Sequence, residues 1–117
     1  MDHKNLDVWK KSMTLTGVVY QLTNELPKSE RFGLISQMRR AAVSIPSNIA
    51  EGSARKSDKE LIQFLMIALG SLSELETQYL LCVQLKFIKH DDEVMDSMTD
   101  VKKLLLGFRN YLKNKIK

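Results

Sequence analysis

Apolar residues recur at intervals of three and four along nearly the whole 117-residue chain, in four blocks separated by short polar or proline-marked breaks. That spacing keeps one stripe of a 3.6-residue helix turned towards a core, so the pattern predicts helices rather than strands. The first block runs from about Asp7 to Asn24. Leu6, Trp9, Met13, Thr16 and Tyr20 form its expected inward stripe, with Asp7 as the N-cap. Pro27 ends it by biasing Leu26 away from the helical region.

The second block begins near Ser29 or Glu30 and continues to about Glu51. Leu34, Met38, Ala41 or Ala42, Ile45 and Ile49 share one face, and the stripe runs straight through Pro46. A proline inside a helix removes one amide and crowds the carbonyl four residues back, here Ala42, at a cost of ~3 kcal/mol or more. The helix therefore either stops and restarts or bends there. The unbroken apolar phase favours a bend, with Ser44 and Ser47 placed to serve the freed backbone groups. Gly52 is the expected C-terminal stop.

The third block opens on "SDKE", a capping box in which the Ser57 hydroxyl takes the Glu60 amide and the Glu60 carboxylate returns to the Ser57 amide. From Leu61 to Leu85 it is apolar on two sides. Leu61, Leu65, Ala68, Leu72, Leu75, Tyr79 and Cys82 form one stripe; Ile62, Met66, Leu69, Leu80 and Val83 form another. Two stripes imply burial from several sides, by the bundle or by another subunit, and Gly70 is expected to admit a neighbouring backbone. The fourth block starts near His90 or Asp91, carries "DDE" at the positive end of its dipole, and ends in Lys113, Lys115 and Lys117 at the negative end. Short connections make neighbours antiparallel. The prediction is an all-α, up-down-up-down four-helix bundle, bent in its second helix at Pro46, as a single domain over residues 1–117.

Composition refines this picture in three ways. The single Cys82 excludes an intrachain disulfide and fits a reducing compartment. No apolar run approaches the ~18 residues of a membrane span, and the N-terminus lacks a secretory apolar stretch, so a cytoplasmic protein is expected. Charge is segregated. Residues 28–59 hold seven basic groups against three acids, residues 60–100 hold eight acids against two basic groups, and residues 101–117 hold six basic groups and no acid. The successive net charges are +4, −6 and +6.

Catalytic chemistry is not legible. There is no P-loop and no dinucleotide glycine pattern. His3 and His90 have no Cys or carboxylate at ligand spacing, and the third helix lacks the histidine that a di-iron bundle needs. No nucleophile, metal set or cofactor site can be assembled, so no enzymatic activity is expected. Two groups still need an account. Glu76 shares a face with Ile62, Met66, Leu69 and Leu80; it either stays exposed or pairs with Arg39 or Arg40. Those adjacent arginines point ~100° apart, so one can serve such a pair while the other faces solvent. The sharper reading joins Arg39, Arg40, Arg55, Lys56 and Lys59 into a patch that neutralises phosphates. No aromatic residue is interleaved with that cluster, so no base-stacking platform is expected there.

Three stretches carry a resemblance: "LDVWKKS", "ERFGLISQMRRAAVSIPSNIAEGSAR" and "FLMIALGSLSELETQ". In order and spacing, from about Leu6 to Leu112, the chain resembles the four-helix-bundle proteins encoded in intervening sequences of bacterial 23S rRNA genes. That resemblance implies a homopentameric ring of bundles. It also implies kinship with the accessory protein of diversity-generating retroelements, which is associated with reverse transcriptase and nucleic acid. Two functions follow as expectations. One is a non-enzymatic oligomer associated with RNA, or with DNA, through basic residues; the other is a ring that holds a partner protein such as a reverse transcriptase. The chain departs from the family pattern where relatives usually have a Gly after the third helix and a Ser opening the fourth. Lys86 and Lys89 stand there. Where relatives often carry an aromatic residue after "AEG", this chain has Ser53.

Overall fold

The four blocks fold as four α-helices in the computed structural model, which describes residues 1–116. They are α1 (Asp7–Thr23), α2 (Leu34–Ser53), α3 (Asp58–Gln84) and α4 (Asp92–Ile116), with 3-10 turns at His3–Asn5 and Lys28–Glu30. Cross-helix contacts run in opposite order along each pair. Thr16 and Thr23 of α1 meet Ala42 and Arg39 of α2. Met38, Ser44 and Gly52 of α2 meet Cys82, Ser71 and Phe64 of α3. Asp58, Met66 and Tyr79 of α3 meet Lys115, Arg109 and Asp91. Each helix lies closest to its chain neighbours, and α4 closes back on α1. The result is an up-down-up-down bundle of 48 × 24 × 20 Å.

The α3 stripe from Leu61 to Cys82 is buried throughout, as its spacing predicts. The second α3 stripe is not. Ile62, Leu69 and Val83 are half-buried at the flank, whereas Met66 and Leu80 are exposed. The stripe expected in α1 is displaced by about one position. Val8, Ser12, Leu15, Val19 and Leu22 are the buried set, while Met13 and Tyr20 are 47% and 41% exposed. Adjacent helical positions lie ~100° apart, and both columns repeat at the same interval, so periodicity alone does not choose between them.

Caps differ from expectation in detail. Leu6, not Asp7, is the α1 N-cap, and Asp7 is the first helical residue. The segment after Pro27 makes a 3-10 turn first, so α2 begins only at Leu34, whose amide donates to Glu30 Oε1 at 3.2 Å. Ser57 Oγ accepts the Glu60 amide at 3.2 Å, but the Glu60 carboxylate takes the Ser57 hydroxyl rather than its amide. Asp91 caps α4, its Oδ1 accepting the Glu93 amide at 2.9 Å. The buried Tyr79 hydroxyl fixes the same corner by accepting the Asp91 amide at 2.7 Å.

α2 continues unbroken through Pro46. The carbonyl of Ala42, deprived of its usual amide, is served by neither Ser44 nor Ser47. It faces the Thr16 hydroxyl of α1 at 3.2 Å, a group also 2.8 Å from the Ser12 carbonyl. Ser44 instead pairs with Ser71 across α3 at 2.8 Å. Gly52 lies inside α2, whose cap is Ala54. A Cβ at Gly52 would stand 2.7 Å from Phe64 Cβ and 2.8 Å from Leu61 Cδ1, so this glycine permits the close approach of α3 rather than a stop. Gly70 has nothing within 4 Å of a Cβ and admits no neighbouring backbone in the chain.

The α3 C-terminus closes with the Phe87 amide donating to the Cys82 carbonyl at 2.9 Å and the Lys86 amide to Val83 at 3.0 Å. This double closure is a Schellman motif, which requires a left-handed residue between. Lys86 supplies it at φ 63°. Cys82 is buried, its Sγ 3.6 Å from Met38 Sδ, and burial pushes its thiol pKa up, with the Glu30 charge adding to the shift.

Candidate nucleic-acid interface

Arg39 leaves α2 towards α1, and its guanidinium is held there. Its Cζ lies 4.6 Å from the Tyr20 ring centroid. Nε donates to Thr23 Oγ1 at 2.9 Å and Nη2 to Asn24 Oδ1 at 3.0 Å. Three partners on one guanidinium make a bracket between helices, and they explain why Tyr20 points outward instead of filling the core. The expected pairing of Arg39 with Glu76 does not form: Glu76 is half-buried on α3, whereas the Arg39 guanidinium reaches from α2 to Thr23 and Asn24 at the end of α1. Arg40 is exposed and lines a polar groove with Gln37, Ser44, Ser71 and Glu74, between α2 and α3.

Arg55, Lys56 and Lys59 are exposed at the turn joining α2 to α3. From Arg40 to Arg55 the helix rises ~1.5 Å per residue, about 20 Å in all. The five candidate residues are therefore two separate groups, not one patch. The arginine at the turn is also ordered by a ring, with Arg55 Cζ 4.8 Å from the Phe64 centroid.

The structure gives the turn different company. Lys115 Nζ, near the end of α4, lies 3.1 Å from Asp58 Oδ2 at the start of α3. Hydrogen bonding to Asp58, followed by its charge, raises the Lys115 pKa, so this ammonium stays charged through the physiological range. The same register sets Leu6, Asp7 and Val8 against Lys103, Leu104 and Phe108. Arg55, Lys56, Lys59, Lys113 and Lys115 thus share one end of the bundle. Lys117 lies outside the described residues.

Exposed Tyr111 stands in the same region, with Lys115 Nζ 5.7 Å from its ring centroid. The 39–59 segment holds no sign of it, because α4 brings it from a distant part of the chain. The signal was in the tail itself: "FRNYLKNK" alternates aromatic and basic residues.

Among the described residues, no three His, Cys, Asp or Glu side chains converge to hold a metal ion. No described helix is long and apolar enough to cross a membrane. The profile of a family described as 23S rRNA-intervening sequence protein matches residues 4–107. A crystal structure of a protein of unknown function, from the S23 ribosomal protein family of Bacteroides thetaiotaomicron, is similar over 94% of this chain and 99% of that one. Its TM-score is 0.82 at 25% sequence identity. No curated protein sequence matches the chain.

Proposed function

Since the chain belongs to the 23S rRNA-intervening sequence protein family, we propose that it is a non-enzymatic, self-associating cytoplasmic bundle that binds RNA through its basic end. The observation that carries this reading is the shared end itself. Five basic side chains from the α2–α3 turn and the last turns of α4 meet there, linked at Lys115 and Asp58. Phosphate neutralisation needs only such clustered charge, and DNA would serve the same chemistry. Arg39, spent on its bracket, is assigned to structure; Arg40 contributes at most a separate contact.

Self-association draws on the outer face of α3, where Ile67, Leu81 and Leu85 are exposed. A ring of like subunits, a pentamer by resemblance to the family, would cover this face through a repeated head-to-tail contact. The same exposed apolar residues favour the second reading, a ring that holds a partner protein.

The test is fluorescence anisotropy with a structured RNA at several salt concentrations. Affinity is expected to fall steeply with salt. Replacing Arg55, Lys56 and Lys59 together by Ala should weaken binding and flatten that dependence, while Arg40→Ala changes little. Absence of binding at low salt would remove the RNA reading and leave the scaffold, whose mark is a multimeric mass in light scattering.

A further inference from the structure

We propose that Tyr111 is a base-stacking position, so that the basic end selects unpaired nucleotides over duplex. This inference rests on the RNA-binding reading above and adds the form of nucleic acid taken. Tyr111 is 59% exposed, one of the largest apolar exposures on α4. Its neighbour Leu112 is fully buried and Phe108 packs against the core, so this part of α4 already has its anchors without Tyr111.

The surroundings suit a base. Helical side chains lean towards the N-terminus of their helix, which for Tyr111 is the turn containing Gly107. A Cβ at Gly107 would have nothing within 4 Å, so the space beside that turn is open. Gly107 also lines a small, mainly apolar groove with Leu6, Val8, Leu104 and Phe108, rimmed by Lys103. A cation for the backbone stands beside the ring, Lys115, one turn further along α4 with its Nζ 5.7 Å from the centroid.

Stacking on an aromatic ring requires a base whose face is free. Every base has such a face when unpaired, which makes the contact tolerant of sequence. In an A-form duplex those faces are covered by neighbouring bases, and only backbone and groove edges are presented. A basic end without the tyrosine would treat both forms as strings of phosphate.

The experiment is anisotropy titration of the full chain with a labelled 20-nucleotide single-stranded RNA and with the same strand annealed to its complement. Tyr111→Ala should weaken single-strand binding about tenfold, within the range expected for one stacked base, and leave duplex binding and the salt dependence unchanged. Tyr111→Phe, which keeps the ring, should remain within about twofold of the parent protein. Unchanged single-strand affinity in Tyr111→Ala would overturn the inference while leaving RNA binding intact. Equal losses on both RNAs, or a changed mass in light scattering, would also overturn it by marking Tyr111 as a subunit contact. If the unaltered protein bound neither RNA at low salt, the parent reading would fail together with this one.

Discussion

The Thr16 hydroxyl stands 3.2 Å from the carbonyl oxygen of Ala42, the acceptor that Pro46 deprives of its amide. A fault created inside α2 is thus met from α1, by a residue thirty positions away from the proline whose single proton is shared with the Ser12 carbonyl at 2.8 Å. A buried acceptor left without a partner costs about 1–3 kcal/mol. Thr16→Val is expected to lose stability in that range in urea titrations. The loss should shrink where Pro46→Ala has restored the amide, because the two positions act on one carbonyl. Equal losses in both backgrounds would mean that the contact contributes nothing.

Two glycines should respond with opposite signs to the same substitution. In an exposed helix Gly→Ala gains up to about 1 kcal/mol from helix propensity, and Gly70 is open enough to show it. At Gly52 the new Cβ would meet Phe64 and Leu61 below 3.0 Å. Overpacking of that kind costs about 1–3 kcal/mol. Thermal unfolding should place Gly70→Ala above the parent protein and Gly52→Ala below it.

Lys86 pays for its left-handed backbone, where a residue with a Cβ loses roughly 1–2 kcal/mol. Glycine removes that cost and loses some chain entropy in exchange. Lys86→Gly is expected to raise stability by about 1 kcal/mol without altering the fold, read as a higher urea midpoint at unchanged slope. A lower midpoint would show that the lysine side chain makes a contact worth more than the strain.

Asp58 is the acid that occupies Lys115. Asp58→Asn should release the ammonium for phosphate and remove a repelling charge. On single-stranded RNA the affinity at moderate salt should rise several-fold, and the slope of log K against log salt should steepen by about 0.7, one additional cation. Stability should change little, since the pair lies at the surface and is screened by solvent. An unchanged slope would exclude Lys115 from the binding surface.

The bundle was legible in the sequence because its helices report themselves locally. The stripe from Leu61 to Cys82 and the Ser57 cap require no knowledge of the rest of the chain. The buried face of α1 is not legible, because the columns through Trp9 and Tyr20 and through Val8 and Val19 repeat at the same interval. Both aromatic rings lie off the core centre: Trp9 is half-buried, and Tyr20 carries a guanidinium. Gly52 looked like a stop because the tightness of its contact belongs to α3, not to α2. The candidate site was least legible. Arg39 and Arg40 are adjacent in sequence yet serve different neighbours, whereas Asp58 and Lys115 are far apart in sequence and meet through the antiparallel register.

That register has a practical side. The first turn of α1 lies beside Lys103–Phe108 of α4, and the last turns of α4 run on from there to the end that carries the α2–α3 turn. An affinity tag fused near either terminus would therefore hang over the surface assigned to RNA. A polyhistidine tag could mask the site or imitate it with its own cations at mildly acid pH. Binding measured on tagged protein would report the tag as much as the bundle. The exposed corner at Lys89 and His90, at the opposite end, is where a label can sit without touching the question being asked.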